Sequence, residues 1–254
     1  LIDESFRHCI TKMSHLHFTA AKDYYNRVIQ LGENPRTVYN VGGLGIENIK
    51  KLKLLKKDQF EKSINFKLNK KNVLVTFHPI TLEKNTSKKY FQEILFSLDN
   101  LKDTNIIFSK TNSDTDGKII NLMIDNYTKK NSFKSKGVAS LGQINYLSAL
   151  QHVDCVIGNS SSGLLEAPSF KIGTINIGDR QRGRIKCESV IDCLPRRNSI
   201  KKAINKIYSI KFQKLLKNVK NPYENGNASK KIAKVLRSVP LENILKKKFF
   251  NIKF

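Results

Sequence analysis

Short apolar runs rich in β-branched residues alternate along this chain with longer stretches in which apolar residues recur at helical spacing. The runs predict strands over residues 16–20, 37–40, 73–77, 106–108, 153–157 and 174–177. The longer stretches predict helices within residues 3–14, 22–31, 46–66, 88–98, 118–127 and 143–150. Strands separated by helices are typical of βαβ units. The pattern therefore predicts an α/β fold with parallel sheets covered by helices on both faces.

Candidate chemistry follows the predicted strands, because ligands of open parallel sheets bind beyond the carboxyl ends of the strands. His78 comes directly after the strand at 73–77. An imidazole at that place can donate a hydrogen bond to a phosphate or transfer a proton. It can equally cap a loop carbonyl, and the sequence alone leaves both interpretations open.

The turn after the strand at 153–157 is the most informative segment, and residues 158–168 read Gly-Asn-Ser-Ser-Ser-Gly-Leu-Leu-Glu-Ala-Pro. Small residues let backbone N–H groups approach an anion, serine hydroxyls such as those of Ser160 and Ser161 add donors, and a following helix presents its positive end. Glu166 is suited to accept hydrogen bonds from a ribose diol. The alternative is an ordinary serine-rich helix cap with an acid in the first turn.

Two other strand ends carry polar loops. Three of the nine arginines, Arg180 among them, lie within residues 180–184. Their crowding is compatible with a phosphate clamp or with an exposed basic loop. Asn112 lies in the loop 109–117, where turn chemistry is the plainest interpretation although the position matches the binding edge.

Three of the five histidines occur in the first 17 residues. His8, His15 and His17 lie there together with Asp3 and Arg7. No zinc-ligand spacing occurs among them, so we expect no metal. Acid–base or substrate-contact roles and packing or capping roles both remain open for these side chains.

Composition narrows the class of protein. With 254 residues, 39% of them hydrophobic, the chain can bury a core. The chain contains no run of about 18 consecutive apolar residues, so its sequence predicts no membrane-spanning helix. The net charge of +25 comes from 37 Lys and only nine Arg, whereas base-reading surfaces favour Arg. We therefore interpret the lysines as solvated helix faces and expect no nucleic-acid or membrane partner. Four cysteines without a CxxC pair indicate reduced thiols in the cytoplasm.

Five stretches, in family order along the chain, resemble the UDP-N-acetylglucosamine 2-epimerases. They are residues 2–15, 40–47, 77–79, 158–168 and 176–181. His78 followed by Pro79 resembles the hydrolysing branch, which makes N-acetylmannosamine for sialic-acid-type sugars. The non-hydrolysing branch usually carries His-Arg-Arg-Glu at that place.

The resemblance implies a GT-B architecture, in which two Rossmann-like domains with parallel sheets hold the nucleotide sugar between them. It implies an incomplete first domain over residues 1–68, a UDP-binding domain over 69–225, and a segment 226–254 whose helix packs back on the first domain. Family members carry a further stretch before the Asp3 motif. We therefore expect a truncated chain that binds UDP weakly at best and does not turn over.

The resemblance also implies which residues contact the nucleotide. They are Ser160, Ser161, Glu166, Arg180, Asn112, Leu141 and, packed on the base, Tyr146. Ser160 and Ser161 are expected at the diphosphate together with His78, and Glu166 is expected at the ribose. The uracil is expected beside Leu141, where the family uses backbone groups.

The implied reaction inverts carbon 2 of the sugar. A base removes the proton from carbon 2 while UDP leaves carbon 1, water adds to the resulting glycal, and the free sugar is released. The catalytic candidates are Asp3, Arg7, His15 and His78, with His17 on the sugar-side wall. This route needs no metal or redox cofactor.

Partners and alternatives follow from the same resemblance. The expected partners are a UDP-amino sugar and, for a full-length protein, further copies of the chain. A UDP-sugar-binding module and a GT-B glycosyltransferase are the alternatives, although residues 3–15 argue against the transferase. The identity of the amino sugar stays open.

Overall fold

The computed structural model describes residues 2–79, 86–111, 115–242 and 244–252, without the side chains of residues 2, 3, 115 and 116. These residues form two compact units. The first unit comprises Leu1–Lys51 with Pro222–Phe254, and the second unit comprises Leu52–Asn221.

The described secondary structure alternates between helices and strands. The helices are α1 (Ile2–Met13), α2 (Lys22–Gln30), α3 (Leu44–Lys51), α4 (Lys57–Ile64), α5 (Ser87–Leu98), α6 (Thr115–Lys130), α7 (Gly142–His152), α8 (Ser162–Leu165), α9 (Arg197–Ile207), α10 (Ile210–Asn218) and α11 (Ala228–Ser238). The strands are β1 (His17–Thr19), β2 (Val38–Asn40), β3 (Lys71–Thr76), β4 (Thr104–Ser109), β5 (Ser135–Val138), β6 (Cys155–Gly158), β7 (Gly173–Ile177) and β8 (Val190–Cys193). Short 3₁₀ helices cover Pro35–Thr37 and Ala167–Phe170.

The chain passes from the first unit to the second between Lys51 and Leu52. Helix α4 belongs to the second unit because Phe60 is fully buried there, with its ring centroid 5.9 Å from that of His152. The backbone N–H of Leu55 donates to Ser148 Oγ at 2.9 Å. The chain therefore enters the second unit before α4 and leaves it after Asn221.

The second unit is built on a six-stranded sheet in the order β5-β4-β3-β6-β7-β8, and every pair is parallel. Because β6 lies beside β3 rather than beside β5, the strand order reverses between β3 and β6. In open α/β sheets, ligands bind at this kind of switch point, outside the carboxyl ends of the strands. The sequence prediction of a parallel α/β sheet is confirmed.

The core of the second unit explains why its central strands are continuous apolar runs. Val73 and Val75 of β3 pack in one buried cluster with Phe91 of α5, Ile124 of α6 and Ile204 of α9. Successive residues of a strand point to opposite faces of the sheet. Both faces of β3 are covered, and the middle of this strand, Val73 to Val75, is accordingly apolar throughout.

The first unit contains a parallel pair, β1 and β2, in which His17 lies opposite Val38. Helix α11 is attached to α3 through Glu47, whose carboxylate accepts hydrogen bonds at 2.7 Å from both the backbone N–H and the hydroxyl of Ser229. The C-terminal segment returns to the same unit, since the backbone N–H of Phe250 donates to the carbonyl of Gly32 at 2.8 Å. No helix in the described ranges is long and apolar enough to span a bilayer.

The buried carboxylate of Glu33 connects helix α1, strand β1 and the C-terminal segment within the first unit. Glu33 is 1% exposed and accepts hydrogen bonds from Lys12 Nζ at 2.6 Å and Lys247 Nζ at 2.8 Å. His17 Nε2 lies 3.0 Å from the same carboxylate. Burial alone raises the pKa of Glu33, but the hydrogen bonds from Lys12, Lys247 and His17 together hold this pKa below its usual value.

The acid stability of the first unit should depend on Glu47. Hydrogen bonds from Lys51 and then from Ser229 lower the pKa of Glu47 from 4.5 to about 2. A carboxyl group with a lowered pKa stabilises the fold above its unfolded-state value, and this stabilisation is lost as the pH falls through the folded-state value. We expect the melting temperature to fall between pH 4.5 and about 2, and to fall less steeply in Glu47→Gln.

Thermal melts followed by circular dichroism across this pH range test the prediction. Glu188→Gln is the control, because it also removes one carboxylate but from an exposed position outside the first unit. An acid dependence of Glu47→Gln that is identical to that of the wild type would contradict the role given to Glu47.

Candidate functional site

Asn159 joins three strand-end loops at the switch point of the second unit. Its side chain accepts the backbone N–H of His78 at 2.7 Å and donates to the carbonyl of His78 at 2.8 Å. Its backbone N–H donates to the carbonyl of Thr76 at 3.1 Å. Its own carbonyl accepts from Arg180 at 3.0 Å and from the Gln181 amide at 2.8 Å. The segments after β3, β6 and β7 are therefore held together by one residue that is 0% exposed.

His78 is oriented by a second contact from the loop after β4. Its Nδ1 lies 3.0 Å from the hydroxyl of Thr111. Thr111 is itself fixed, because its N–H and C=O pair with the side-chain amide of Asn121 at 3.0 Å each. The imidazole of His78 is thus held at the carboxyl edge of the sheet, where the sequence placed it.

The serine turn supplies free donors at the same edge. Within the described residues, the backbone N–H groups of Ser160 and Ser161 donate to no acceptor. Both side chains are half-buried, so their hydroxyls remain accessible. The turn can therefore present two amides and two hydroxyls to an anion.

The helix that follows this turn is very short. Helix α8 has only four residues, and a 3₁₀ helix begins at Ala167. Pro168 lacks a backbone N–H and its ring clashes with the preceding turn, so an α-helix cannot continue through it. A helix of one turn has a small dipole. Anion binding here must therefore depend on hydroxyls, turn amides and nearby side chains.

Gly158 permits the close approach of β6 and β3. Its φ is +145°, and a Cβ at this position would lie 1.8 Å from the carbonyl oxygen of Thr76. No side chain fits so close to a backbone oxygen. The glycine that ends β6 is therefore required for the Asn159 contacts.

Glu166 lies at the end of α8 with its carboxylate facing Ser162. The Ser162 hydroxyl donates to Glu166 Oε2. Burial raises the pKa of Glu166, and the hydrogen bond from Ser162 opposes this rise. The side chain is half-buried, which is compatible with hydrogen bonding to a ligand hydroxyl.

The other residues that were predicted to contact the nucleotide differ in their degree of burial. Arg180 is exposed and donates to the Asn159 carbonyl, whereas Leu141 is buried just before α7. The hydroxyl oxygen of Tyr146 is buried, whereas the residue as a whole is half-buried. Asn112 lies outside the described residues.

The predicted sugar-side residues all belong to the first unit. Asp3 lies on α1, and its side chain is outside the described part of the structure. Arg7 is exposed and forms an ion pair with Glu4 at 3.0 Å. His15 is half-buried. His17 is buried against Glu33, and burial lowers its pKa.

Three contacts of this site were not foreseen from the sequence, namely those of Asn159, Thr111 and Ser162. Each of these side chains bonds to a residue that belongs to the predicted set. Among the described side chains, no group of three or more His, Cys, Asp or Glu residues is arranged to hold a metal ion.

Comparison with known proteins connects this geometry to a family. A family model described as UDP-N-acetylglucosamine 2-epimerase matches residues 1–237. The GDP/UDP-N,N'-diacetylbacillosamine 2-epimerase (hydrolyzing) of Campylobacter jejuni is 44% identical over 252 residues, which are 99% of this chain and 65% of that protein. The polysialic acid biosynthesis protein P7 of Escherichia coli is 38% identical over 252 residues, which are 98% of this chain and 64% of that protein.

The fold is shared with solved structures. The UDP-GlcNAc 2-epimerase of Methanocaldococcus jannaschii, solved with UDP-GlcNAc and UDP, superposes with a TM-score of 0.70 at 18% identity. The match covers 90% of this chain and 62% of that one. The expected GT-B-type α/β fold with parallel sheets is thereby confirmed. From the family match and the sequence relatives, we conclude that this chain belongs to the UDP-N-acetylglucosamine 2-epimerase family, and the resemblance to its hydrolysing branch is confirmed.

Proposed function

We propose that this chain serves the 2-epimerisation of a UDP-amino sugar and that its second unit binds the UDP moiety. The observation that carries the proposal is the junction at Asn159, which gathers the loops of His78, the serine turn and Arg180 at the switch point of the sheet. In this proposal the diphosphate lies on Ser160 and Ser161, and Glu166 accepts a hydrogen bond from the ribose.

The chemistry of the leaving group explains why these residue types suit the site. When the bond between carbon 1 and the phosphate oxygen breaks, its electron pair stays on UDP and adds negative charge to the diphosphate. Donors already placed around that charge lower the barrier, because they need no reorganisation during the reaction. Amide N–H groups, hydroxyls, an imidazole and a guanidinium are donors of this kind.

The proposed reaction also requires two proton transfers at carbon 2 of the sugar. A base takes the proton from carbon 2 as UDP departs, which leaves a carbon–carbon double bond between carbons 1 and 2. Water then adds its hydroxyl to carbon 1, and a proton returns to carbon 2 on the opposite face. We assign these transfers to the α1 segment with Asp3, Arg7 and His15, on the strength of the motif resemblance.

We further propose the hydrolysing outcome, in which UDP and the free 2-epimer are both released. This is supported by the relative from Campylobacter jejuni, whose name includes the word hydrolyzing. That name also makes a 2,4-diacetamido sugar nucleotide a candidate substrate beside UDP-N-acetylglucosamine.

Proton NMR in D₂O tests the proposed reaction. Because this chain by itself is expected not to turn over, a protein that joins it to the preceding stretch carried by family members is incubated separately with UDP-N-acetylglucosamine and with UDP-N,N'-diacetylbacillosamine, and the products are followed over time. The proposal predicts free UDP and a free sugar with deuterium at carbon 2. UDP-sugar binding without deuterium incorporation and without UDP release would instead favour a binding module.

Thr111→Val should weaken UDP binding while leaving the fold intact. Valine has nearly the same shape as threonine but cannot bond to His78 Nδ1, so the imidazole loses its orienting contact. A neutral hydrogen bond contributes about 1 kcal/mol, which corresponds to roughly a fivefold loss of affinity. Calorimetric titration with UDP measures this effect.

Thr104→Val is the matched control for this substitution. Thr104 is also a buried threonine with a hydroxyl hydrogen bond, but it lies at the amino end of β4 and bonds to the Lys102 carbonyl. Its replacement should leave the UDP affinity unchanged. Equal losses in the two variants would show that the effect is not specific to His78.

A further inference from the structure

A cavity of about 450 Å³ opens at the carboxyl ends of β7 and β8, the two strands that follow β6 in the sheet. Its lining includes Tyr90, Asp179, Asp192, Cys193, Leu194 and Pro195. Pockets that bind small molecules are concave and mostly apolar, with a few polar groups that orient the ligand. None of the residues assigned to UDP lines this cavity, which we call the β7–β8 cavity.

Hydrogen bonds hold the walls of the β7–β8 cavity. The backbone N–H of Gly178 donates to the carbonyl of Cys193 at 3.0 Å, which ties the end of β7 to the end of β8. The backbone N–H of Leu194 donates to Ser199 Oγ at 3.2 Å, so the loop after β8 is fixed to α9. A cavity with fixed walls loses little conformational freedom when a ligand binds.

One of the two carboxylates in the β7–β8 cavity is open to a ligand. Asp192 accepts hydrogen bonds from Lys186 Nζ at 2.8 and 2.7 Å and from Asn176 Nδ2 at 2.7 Å. The carboxylate of Asp179 is exposed and accepts no hydrogen bond in the part of the chain that the structure describes. A carboxylate accepts from N–H and O–H donors and repels a phosphate. The cavity therefore suits an uncharged group with donors, and not the diphosphate itself.

The opposite wall of the cavity is apolar. Tyr90, Leu194 and Pro195 contribute to it, and the Leu194 side chain is 58% exposed. An exposed leucine gains free energy when a ligand removes its apolar surface from water. An acetamido group fits an apolar wall beside a free carboxylate, because it carries both an N–H donor and a methyl group.

The position of the cavity relates it to the proposed diphosphate site. Arg180 directly follows Asp179, and its Nη1 donates to the Asn159 carbonyl beside the serine turn at 3.0 Å. Neighbouring strands lie about 4.8 Å apart, so the cavity begins one strand beyond that turn. In a UDP-sugar, the sugar is joined to the terminal phosphate through a single oxygen atom. The sugar is therefore the part of the ligand that can reach the cavity.

We propose that the β7–β8 cavity binds the sugar of the UDP-amino sugar, with an acetamido N–H donating to Asp179 and the acetamido methyl group packed on Leu194 and Pro195. The inference rests on the proposed function, because it assumes that the diphosphate lies on the serine turn. It makes Asp179 and Leu194 specificity-determining residues. Of the two candidate substrates, the diacetamido sugar offers more amide N–H groups and more methyl groups, so the cavity favours it.

Calorimetric titrations of the 254-residue chain with UDP, UDP-N-acetylglucosamine and UDP-N,N'-diacetylbacillosamine measure the contribution of the sugar. Because the chain by itself is expected not to turn over, the ligands stay intact. A hydrogen bond to a charged acceptor predicts that the diacetamido compound binds about 10-fold more tightly than UDP. In Asp179→Ala and Leu194→Asn this ratio should fall by about fivefold. The lost charge of Asp179 acts alike on all three ligands, because they share the diphosphate, so the ratio reports on the sugar.

Each variant has a matched control outside the cavity. Glu188→Ala also removes one exposed carboxylate, but Glu188 precedes β8 and so lies at the other end of this strand. Leu122→Asn also replaces an exposed leucine, on α6. Both controls should leave the ratio unchanged.

Cys193 provides a readout that needs no substitution. Its thiol belongs to the cavity lining, and burial raises its pKa to about 11, so a methanethiosulfonate reagent modifies it slowly and at alkaline pH. The diacetamido nucleotide at ten times its Kd should slow this reaction about tenfold, and UDP should slow it much less. Cys9 is exposed on α1 and should react equally fast in every sample. Mass spectrometry of peptides distinguishes the two thiols.

The outcomes separate this inference from the proposed function. A wild type that binds UDP and the diacetamido compound equally tightly overturns the inference and leaves UDP binding intact. Tighter binding of UDP-N-acetylglucosamine than of the diacetamido compound, an unprotected Cys193, or an unchanged ratio in Asp179→Ala has the same consequence. A well-folded wild type without any UDP binding overturns the proposed function itself. If Leu194→Asn does not fold, Asp179→Ala and Cys193 decide the outcome.

Discussion

Gly158→Ala is expected to abolish UDP binding and to destabilise the second unit by about 3 to 5 kcal/mol. The added Cβ would lie 1.8 Å from the carbonyl oxygen of Thr76, and the backbone at this position has a φ of +145° that residues with a side chain rarely adopt. The clash involves backbone atoms on both sides, so no side-chain rotation relieves it. Strand β6 must move away from β3, and the paired contacts between Asn159 and His78 must break. Urea unfolding and calorimetry with UDP measure the two effects.

Gly178→Ala separates the clash from the loss of backbone freedom. Gly178 follows β7 at the same edge of the sheet and has a φ of +75°, but an added Cβ would meet nothing within 4 Å. We expect this control to cost only about 1 to 2 kcal/mol, through backbone strain alone. A Gly158→Ala variant as stable as Gly178→Ala would contradict the packing described for the switch point.

Arg180→Ala is expected to weaken UDP binding about 10- to 100-fold, because a charge-assisted hydrogen bond to the diphosphate contributes about 1.5 to 3 kcal/mol. Arg180 is exposed, so its removal leaves no buried charge and the fold should survive. Its Nη1 donates to the carbonyl of Asn159, which places the guanidinium next to the serine turn. Calorimetric titration of the variant with UDP measures the loss.

Arg182→Ala is the control for general electrostatics. Arg182 is exposed in the same loop, and its removal also lowers the net charge of +25 by one. A nonspecific attraction between a basic protein and an anion would weaken equally in both variants and would respond strongly to salt. A specific clamp predicts that only Arg180→Ala has a large effect, so equal losses would contradict it.

The central strands were predictable because the sheet buries them on both faces. Val73, Leu74 and Val75 are at most 1% exposed, which requires an unbroken apolar run. The edge strands β5 and β8 escaped prediction for the opposite reason. They read Ser-Lys-Gly-Val and Val-Ile-Asp-Cys, and most of their residues are only half-buried. A polar residue in an edge strand costs little free energy of folding, because it stays in contact with water. The sequence of an edge strand therefore lacks the continuous apolar run by which the central strands were predicted.

The candidate site could be predicted in part by the same logic. The rule that ligands bind beyond strand ends located His78 and the serine turn without any knowledge of their contacts. It could not identify Asn159 as the residue that joins them, because its partner His78 is 81 positions away and no local pattern records such a bond. The short length of α8 was in principle visible, since Pro168 stops a helix that begins at Ser162.

Two neighbouring histidines of the first unit, His15 and His17, differ in burial although they belong to the same sequence motif. His15 and His17 are two positions apart, and residues at this spacing in an extended segment point to the same side. His17 nevertheless lies at the start of β1 and is buried against Glu33, a residue that the sequence analysis did not connect with it. Burial of a particular histidine depends on such tertiary partners, which local spacing does not reveal.

The central claim is that a uridine diphosphate binds at the junction of His78, the serine turn and Arg180. The most direct measurement is a calorimetric titration of the well-folded chain with UDP, UMP and uridine under identical salt conditions. We expect saturable binding of UDP at one site, much weaker binding of UMP, and no measurable heat with uridine. Equal affinities for all three compounds, or no binding of UDP by the folded chain, would contradict it.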